Sequence, residues 1–80
     1  MLSSMDYVMV TFTAGQAPGK DLKVPAFVPI GELIEMLAEA LHLAVEPENR
    51  IQAEPVGRIL DNRLTLEQEG VADGALLTLI

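Results

Sequence analysis

Ile30, Leu33, Ile34, Leu37 and Leu41 recur at steps of three and four residues, while Glu32, Glu35 and Glu39 fall on the opposite side. This is the period of an α-helix with one apolar stripe, and the spacing predicts a helix over residues 29–43. Pro29 suits the first helical turn, where its missing N–H is not needed, and Glu32 and Glu35 suit the positive end of the helix dipole. A helix with a single greasy stripe must lay it against something. In a chain of 80 residues the remaining segments have to supply that surface as one core, so a single domain over residues 1–80 is expected.

Those segments have the two-residue period of strands. Val8, Val10 and Phe12 share one side of a run from Tyr7 to Thr13, and Leu22 and Val24 alternate with Asp21 and Lys23 in a second run, Lys20 to Val24. The turn-rich Ala14-Gly15-Gln16-Ala17-Pro18-Gly19 joins the two as an antiparallel hairpin whose second strand is expected to stop between Pro25 and Pro29. After the polar break Glu46-Pro47-Glu48-Asn49, two short strands are expected at Ile51 to Val56 and Gly57 to Leu60. Thr65-Leu66-Glu67-Gln68 has capping-box spacing: the Thr65 hydroxyl can accept the N–H of Gln68 while the Gln68 side chain reaches back. One helical turn is expected there, left through Gly70. A reversal at Asp73-Gly74 then leads into a last strand, Ala75 to Ile80, with Leu77 and Leu79 inward. About a dozen apolar side chains make up the expected core, to which Phe27, between two prolines, is assigned as a plug at one end.

Twelve acidic side chains against five basic ones give a formal charge of −7, which sets the chain against nucleic-acid phosphates and anionic lipid surfaces. A basic or apolar protein surface is the partner this charge favours. Half of the residues are hydrophobic, so the chain is expected to fold. With no cysteine there is no disulfide, thiolate metal site or thiol chemistry. Residues 1–6 lack the basic start and apolar run of a signal peptide and are expected to be flexible, and no apolar stretch is long enough to enter a bilayer as a helix. A cytoplasmic location is the expectation.

The order ββαββ, a capped turn and a closing strand is that of ubiquitin. Leu60-Asp61-Asn62-Arg63-Leu64-Thr65-Leu66 resembles the ubiquitin stretch leading into its short helical turn, and Val71-Ala72-Asp73-Gly74-Ala75-Leu76-Leu77-Thr78-Leu79 resembles the run into its last strand. The resemblance implies an α+β, β-grasp (ubiquitin-like) fold, a mixed sheet of four to five strands packed on one α-helix. Within that superfamily the chain most resembles the YukD-like accessory proteins of type VII (ESX-like) secretion systems, in its length and its proline-led helix Val28-Pro29-Ile30-Gly31-Glu32-Leu33-Ile34. That likeness implies a non-catalytic protein–protein interaction module whose partner belongs to the secretion machinery. The alternative is a small non-catalytic β-grasp subunit of a multicomponent enzyme, such as a diiron monooxygenase. Ubiquitin and its sulfur-carrier relatives end in a slim diglycine tail, whereas Thr78-Leu79-Ile80 closes this sequence, which argues against modifier chemistry. Gln52 also stands where ubiquitin has its central exposed isoleucine.

No catalytic set emerges. His42, near the helix end, has no second histidine or cysteine to join it and reads as a solvated surface residue. Glu46, Glu48 and Glu54 match no calcium loop, Ser3 and Ser4 have no triad partners in a fitting order, and the glycines are scattered singly at turns. Neither a cofactor nor a metal is expected. The candidate interaction surface comprises the helix's Glu32, Glu35 and Glu39 together with Tyr7, Gln52, Leu76, Thr78 and Ile80 of the sheet. The acidic stripe is either a solubilising face or a dock for a basic partner, and the apolar strand residues could serve a partner or a homodimer.

The helix phase can be tested directly. Leu37→Ala, at the centre of the apolar stripe, is expected to lose about 2–5 kcal/mol of stability by leaving a cavity. An unchanged denaturant midpoint would show that the stripe has been placed on the wrong side of the helix.

Overall fold

The computed structural model describes residues 6–80. Tyr7–Ala14 forms β1 and Lys20–Pro25 forms β2, an antiparallel hairpin whose register places Val8 opposite Val24 and Val10 opposite Leu22. Helix α1 runs Ile30–Leu41, followed by β3 (Ile51–Glu54), β4 (Arg58–Ile59) and β5 (Ala75–Leu79). The strands make one mixed sheet in the order β2-β1-β5-β3-β4, with β1 and β5 parallel at its centre. Both strand connections that flank this parallel pair are antiparallel, and β3 pairs β5 with Ile51 opposite Leu79 and Ala53 opposite Leu77.

Strict alternation gives the sheet two chemically different faces. Val8, Val10, Phe12, Val24, Ile51, Ala53, Ala75 and Leu77 are buried on the inner face, where they form one cluster with Ile30, Leu33, Ile34 and Leu37 of α1. Leu41 and Leu79 pack half-buried against that cluster, as their places on the helix stripe and the last strand require. Seventeen apolar residues are buried among those described, more than the dozen expected. The surplus comes from small residues, such as Ala26, Ala38 and Ala53, and from Leu60, Leu66 and Val71, which lie in segments without strand or helix period.

The helix is shorter than its pattern. Pro29 is its N-cap, with extended backbone at φ −57° and ψ 141°, rather than its first helical residue. At the other end His42 takes the left-handed conformation at φ 59° and ψ 47°, and the Leu43 N–H reaches back to the Ala38 carbonyl at 2.8 Å. This closes the helix as a Schellman motif, with a histidine where glycine is the usual residue. Leu43 therefore leaves the helix yet stays packed on the core.

A proline N-cap offers no side-chain oxygen to the helix N–H groups, which the rest of the chain has to satisfy. The Leu64 carbonyl accepts the Ile30 N–H at 2.8 Å, and the Asn62 carbonyl accepts the Gly31 N–H at 2.9 Å. The same segment then donates from the Glu67 N–H to the Ala26 carbonyl at 3.1 Å, so residues 60–71 cross beneath the helix start and seal that end of the core. Both halves of the capping box are present: Gln68 N–H to Thr65 Oγ1 and Thr65 N–H to Gln68 Oε1, each at 3.0 Å. What they close is a hydrogen-bonded turn rather than a helix, ending at Gly70 with φ 79°.

One expectation is corrected at the hairpin. Phe27 is 55% exposed and outside the core, because the buried place between Pro25 and Pro29 is taken by Ala26. Asp6, assigned to a flexible terminus, lies in the described part, where its carbonyl accepts the Ala26 N–H at 2.9 Å. The expectations for residues 1–5, including Ser3 and Ser4, lie outside the described residues.

The left-handed histidine generates a prediction. His42→Gly removes the steric cost of a Cβ at positive φ and is expected to raise stability by about 1 kcal/mol. A denaturant series that shows a lower midpoint for the variant would contradict the assigned helix ending.

Candidate functional site

The outer face of the sheet follows from the same register that builds the core. Thr11 stands beside Leu76 and Thr13 beside Thr78 across β1 and β5, while Gln52 stands beside Thr78 and Glu54 beside Leu76 across β3 and β5. Ile59 of β4 pairs with Gln52, and Met9 pairs with Lys23 of β2. Tyr7, Met9, Leu76, Ile59 and Ile80 are all exposed large apolar residues, and period-two alternation sets all of them on this face. Alternation requires only that a residue point outward; it does not require that residue to be apolar. Five such residues on one face therefore form a feature beyond what the core demands.

The described end of the chain is held in this face. Ile80 exchanges backbone hydrogen bonds with Arg50 at 2.9 and 3.0 Å, and its carbonyl also accepts the Asn49 side-chain amide at 2.9 Å. The Thr13 hydroxyl donates to Thr78 Oγ1 at 3.3 Å, leaving Thr78 half-buried between Leu76 and Ile80. Of the sheet residues expected from sequence, Gln52, Leu76, Thr78 and Ile80 are brought together, and Tyr7 lies at the far corner. Met9 and Ile59 were missed. Their outward phase was legible for Met9 from its place between Val8 and Val10, but Ile59 needed the short β4 pairing to place it.

At that far corner Tyr7 meets the displaced Phe27. Their rings stand edge to face at 84°, with centroids 5.9 Å apart, and the Lys23 ammonium lies 5.4 Å from the Tyr7 centroid. Such aromatic and cation–π contacts stabilise weakly at an exposed site, and the pair presents two of the three aromatic side chains of the chain to solvent.

The opposite side of the molecule is electrostatically different. Glu32, Glu35 and Glu39 project from α1 into solvent around an exposed Met36, and Glu46 and Glu48 follow in the next loop. No lysine or arginine occurs anywhere in residues 26–49. Five of the twelve acidic residues thus fall in a segment without a basic residue, whereas three of the five basic residues lie in β2 and β4, with Arg50 just before β3 and Arg63 in the segment between β4 and β5. A groove of about 470 Å³ runs between α1 and this loop, with Ile34, Val45 and Pro47 in its lining and Glu35 and Glu46 among its polar residues.

The charged residues that sequence reasoning missed are structural. Glu69 is only 9% exposed, and its carboxylate accepts the Asp61 N–H at 2.7 Å and the Arg58 guanidinium at 2.9 Å. Arg58 also donates to the Glu69 carbonyl at 2.7 Å. One side chain therefore ties β4 to the turn that caps α1. The Asp61 N–H, with the Arg58 guanidinium as second contributor, holds the Glu69 carboxyl below its ordinary range. Asp61, bonded to the Arg63 side chain and to its backbone N–H, is lowered to about 2. Among the described residues no cluster of His, Cys, Asp and Glu side chains could hold a metal, and no helix is long and apolar enough to cross a membrane.

This architecture, five strands curled round one helix with a short capped turn beneath its start, defines the chain as a ubiquitin-like β-grasp protein. The ubiquitin-like domain of the Mycobacterium tuberculosis type VII secretion system protein EccD1 shares 27% identity at a TM-score of 0.62, over 95% of this chain and 99% of that one. Caldiarchaeum subterraneum ubiquitin shares 25% identity at 0.70, over 92% and 91% of the two chains. The ubiquitin-like domain of Plasmodium falciparum Dsk2, at 23% identity, TM-score 0.67 and coverage of 92% and 99%, shares the fold. No curated protein sequence matches the chain. Residues 7–79 match the family described as "WXG100 protein secretion system (Wss), protein YukD", and the chain belongs to that family.

The Glu69 contacts set an acid dependence. A carboxyl whose folded pKa is depressed contributes stability that is complete above its ordinary value and lost as pH falls through the folded one. That loss begins near 4.5 for Glu69, and near 3.8 for Asp61, where it runs down to about 2. Glu69→Gln is expected to cost about 1–3 kcal/mol at neutral pH, by weakening charge-assisted bonds, and to flatten the acid side of the stability profile. Parallel denaturation of both proteins between pH 7 and pH 3, giving two curves of equal slope, would rule this out.

Proposed function

We propose that this chain is a non-catalytic interaction module of the type VII (WXG100) secretion apparatus, acting in the cytoplasm and binding another protein component through the outer face of its sheet. The family match places the chain with secretion, and the likeness to the EccD1 domain is to another protein of such a system. The observation that carries the surface assignment is the exposure of Tyr7, Met9, Leu76, Ile59 and Ile80 on the sheet face that no helix covers among the described residues. Burying apolar area contributes about 25 cal/mol per Å², so a partner with a matching apolar surface gains from this face what it cannot gain from the acidic one. Gln52 and the Thr13–Thr78 hydroxyl pair, set among these residues, supply polar atoms that give such a contact a fixed register.

The acidic side of α1 serves in this reading to keep the domain apart from anionic surfaces and to favour approach with the sheet leading. A role as a subunit of an oxygenase is the competing assignment, and the family match favours secretion over it.

The test is capture with crosslinking in source cells. Tagged wild-type chain should recover components of the secretion apparatus, and Leu76→Asp should abolish that recovery while the unfolding midpoint moves by no more than about 0.5 kcal/mol. Replacing Glu32, Glu35 and Glu39 together by Gln should leave recovery intact. Undiminished capture by Leu76→Asp would remove the outer face from the proposal, and recovery of oxygenase subunits in place of secretion proteins would replace the proposal altogether.

A further inference from the structure

The sheet has two edges, and they are unequal. β4 offers two residues, whereas β2 offers six, Lys20–Pro25, with no strand beyond it among the described residues. The hydrogen bond from Ala26 N–H to the Asp6 carbonyl fixes which β2 groups face inward. In an antiparallel ladder hydrogen-bonded and non-hydrogen-bonded pairs alternate, so Val24 and Leu22 spend their N–H and C=O groups on β1. Asp21 and Lys23 are the non-bonded partners of Thr11 and Met9, and their N–H and C=O groups point out of the sheet edge. The Met9 backbone supports this phase, since its N–H and C=O turn the other way, to Asp73 Oδ1 and the Gly74 N–H, each at 2.8 Å. Pro25, which has no N–H, falls on the same outward phase, where none is required.

We infer that β2 pairs antiparallel with β2 of a second copy of this chain, about a twofold axis at Leu22. In that register Asp21 lies opposite Lys23 of the other copy and Lys23 opposite its Asp21, each pair exchanging two backbone hydrogen bonds. Residues directly opposite share a face, so both carboxylate–ammonium pairs form on the outer side of the joined sheet and Leu22 meets its own copy on the inner side. Asp21 is ready for this contact: Thr11 Oγ1 donates to its Oδ1 at 2.8 Å, and Oδ2 has no hydrogen-bond donor among the described residues. The neighbouring registers that keep the same groups facing each other set Asp21 against Asp21 or Lys23 against Lys23, and a shift by one residue would turn every side chain to the wrong face.

Charged residues and a proline commonly blunt an edge against indiscriminate pairing. Here the two opposite charges, two residues apart, exclude other strands and mismatched registers while matching their own reversed copy. The charge of −7 does not oppose this particular approach, since its largest share lies on α1 and the loop after it, and the β2 edge itself carries Lys20, Lys23 and Asp21. Pairing at this edge leaves the outer faces of both copies open on the same side, so it is compatible with partner binding there and independent of it.

Sedimentation velocity over a concentration series tests the pairing. Wild-type chain should form a dimer at submillimolar concentration. Asp21→Lys and Lys23→Asp should each weaken self-association by about tenfold or more, because two attractive pairs become repulsive. Mixing these two variants should restore dimer as a heterodimer, and the double swap Asp21→Lys with Lys23→Asp should dimerise alone. Circular dichroism of each variant verifies that it is folded. A monomeric wild type, or single variants that self-associate as strongly as wild type, would overturn the inference, as would a mixture that remains monomeric.

Discussion

The burial of one helical stripe governs this protein. Ile30, Leu33, Ile34 and Leu37 cannot be satisfied within α1, and the inner face of the sheet is the surface that covers them. Four of the five strands contribute to that cover according to their phase: Val8, Val10 and Phe12 from β1, Val24 from β2, Ile51 and Ala53 from β3, Ala75 and Leu77 from β5. Because the core-facing residues of each strand are fixed by this demand, the residues left on the other face are fixed as well. The proposed interaction surface is in this sense a by-product of core phase, carrying exposed apolar side chains where polar ones would have served the fold equally well.

A second constraint follows from the first. A helix packed by its stripe buries its starting N–H groups near the core, and Pro29 cannot cap them. Residues 60–71 answer this with main-chain carbonyls, and Glu69 holds them in place through the Asp61 N–H and Arg58. A nearly buried carboxylate is tolerated here because both of its oxygens are bonded and one partner is a guanidinium. It fixes the position of a loop without strand or helix period, which the apolar side chains Leu60, Leu66 and Val71 alone would locate less sharply.

The two sides of the molecule differ in charge and in exposed apolar surface. One side carries Glu32, Glu35, Glu39, Glu46 and Glu48 with no basic residue between them in sequence, and the other is a nearly charge-balanced sheet with five exposed apolar residues. Membership of the YukD family sets this division in a secretion context. In the proposed function, long-range repulsion would act mainly on the helix side and short-range burial on the sheet side, so that orientation and affinity would come from different residues.

Periodicity made most of the framework legible: the helix stripe, the phases of β1, β2 and β5, the turn glycines and the reciprocal Thr65–Gln68 cap all follow from spacing and local chemistry. The same phases placed Leu76, Thr78 and Ile80 outward. What spacing cannot convey is which distant group satisfies a local want. The helix start depended on carbonyls more than thirty residues away, Phe27 was displaced by a neighbouring alanine, and Ile59 joined the outer face through a pairing of two residues. The chain's local preferences thus determined which elements form and which way each faces. Only the tertiary structure decided their order across the sheet, and with it which outward residues become neighbours, because strand pairing is settled by long-range burial and hydrogen bonding that no local segment contains.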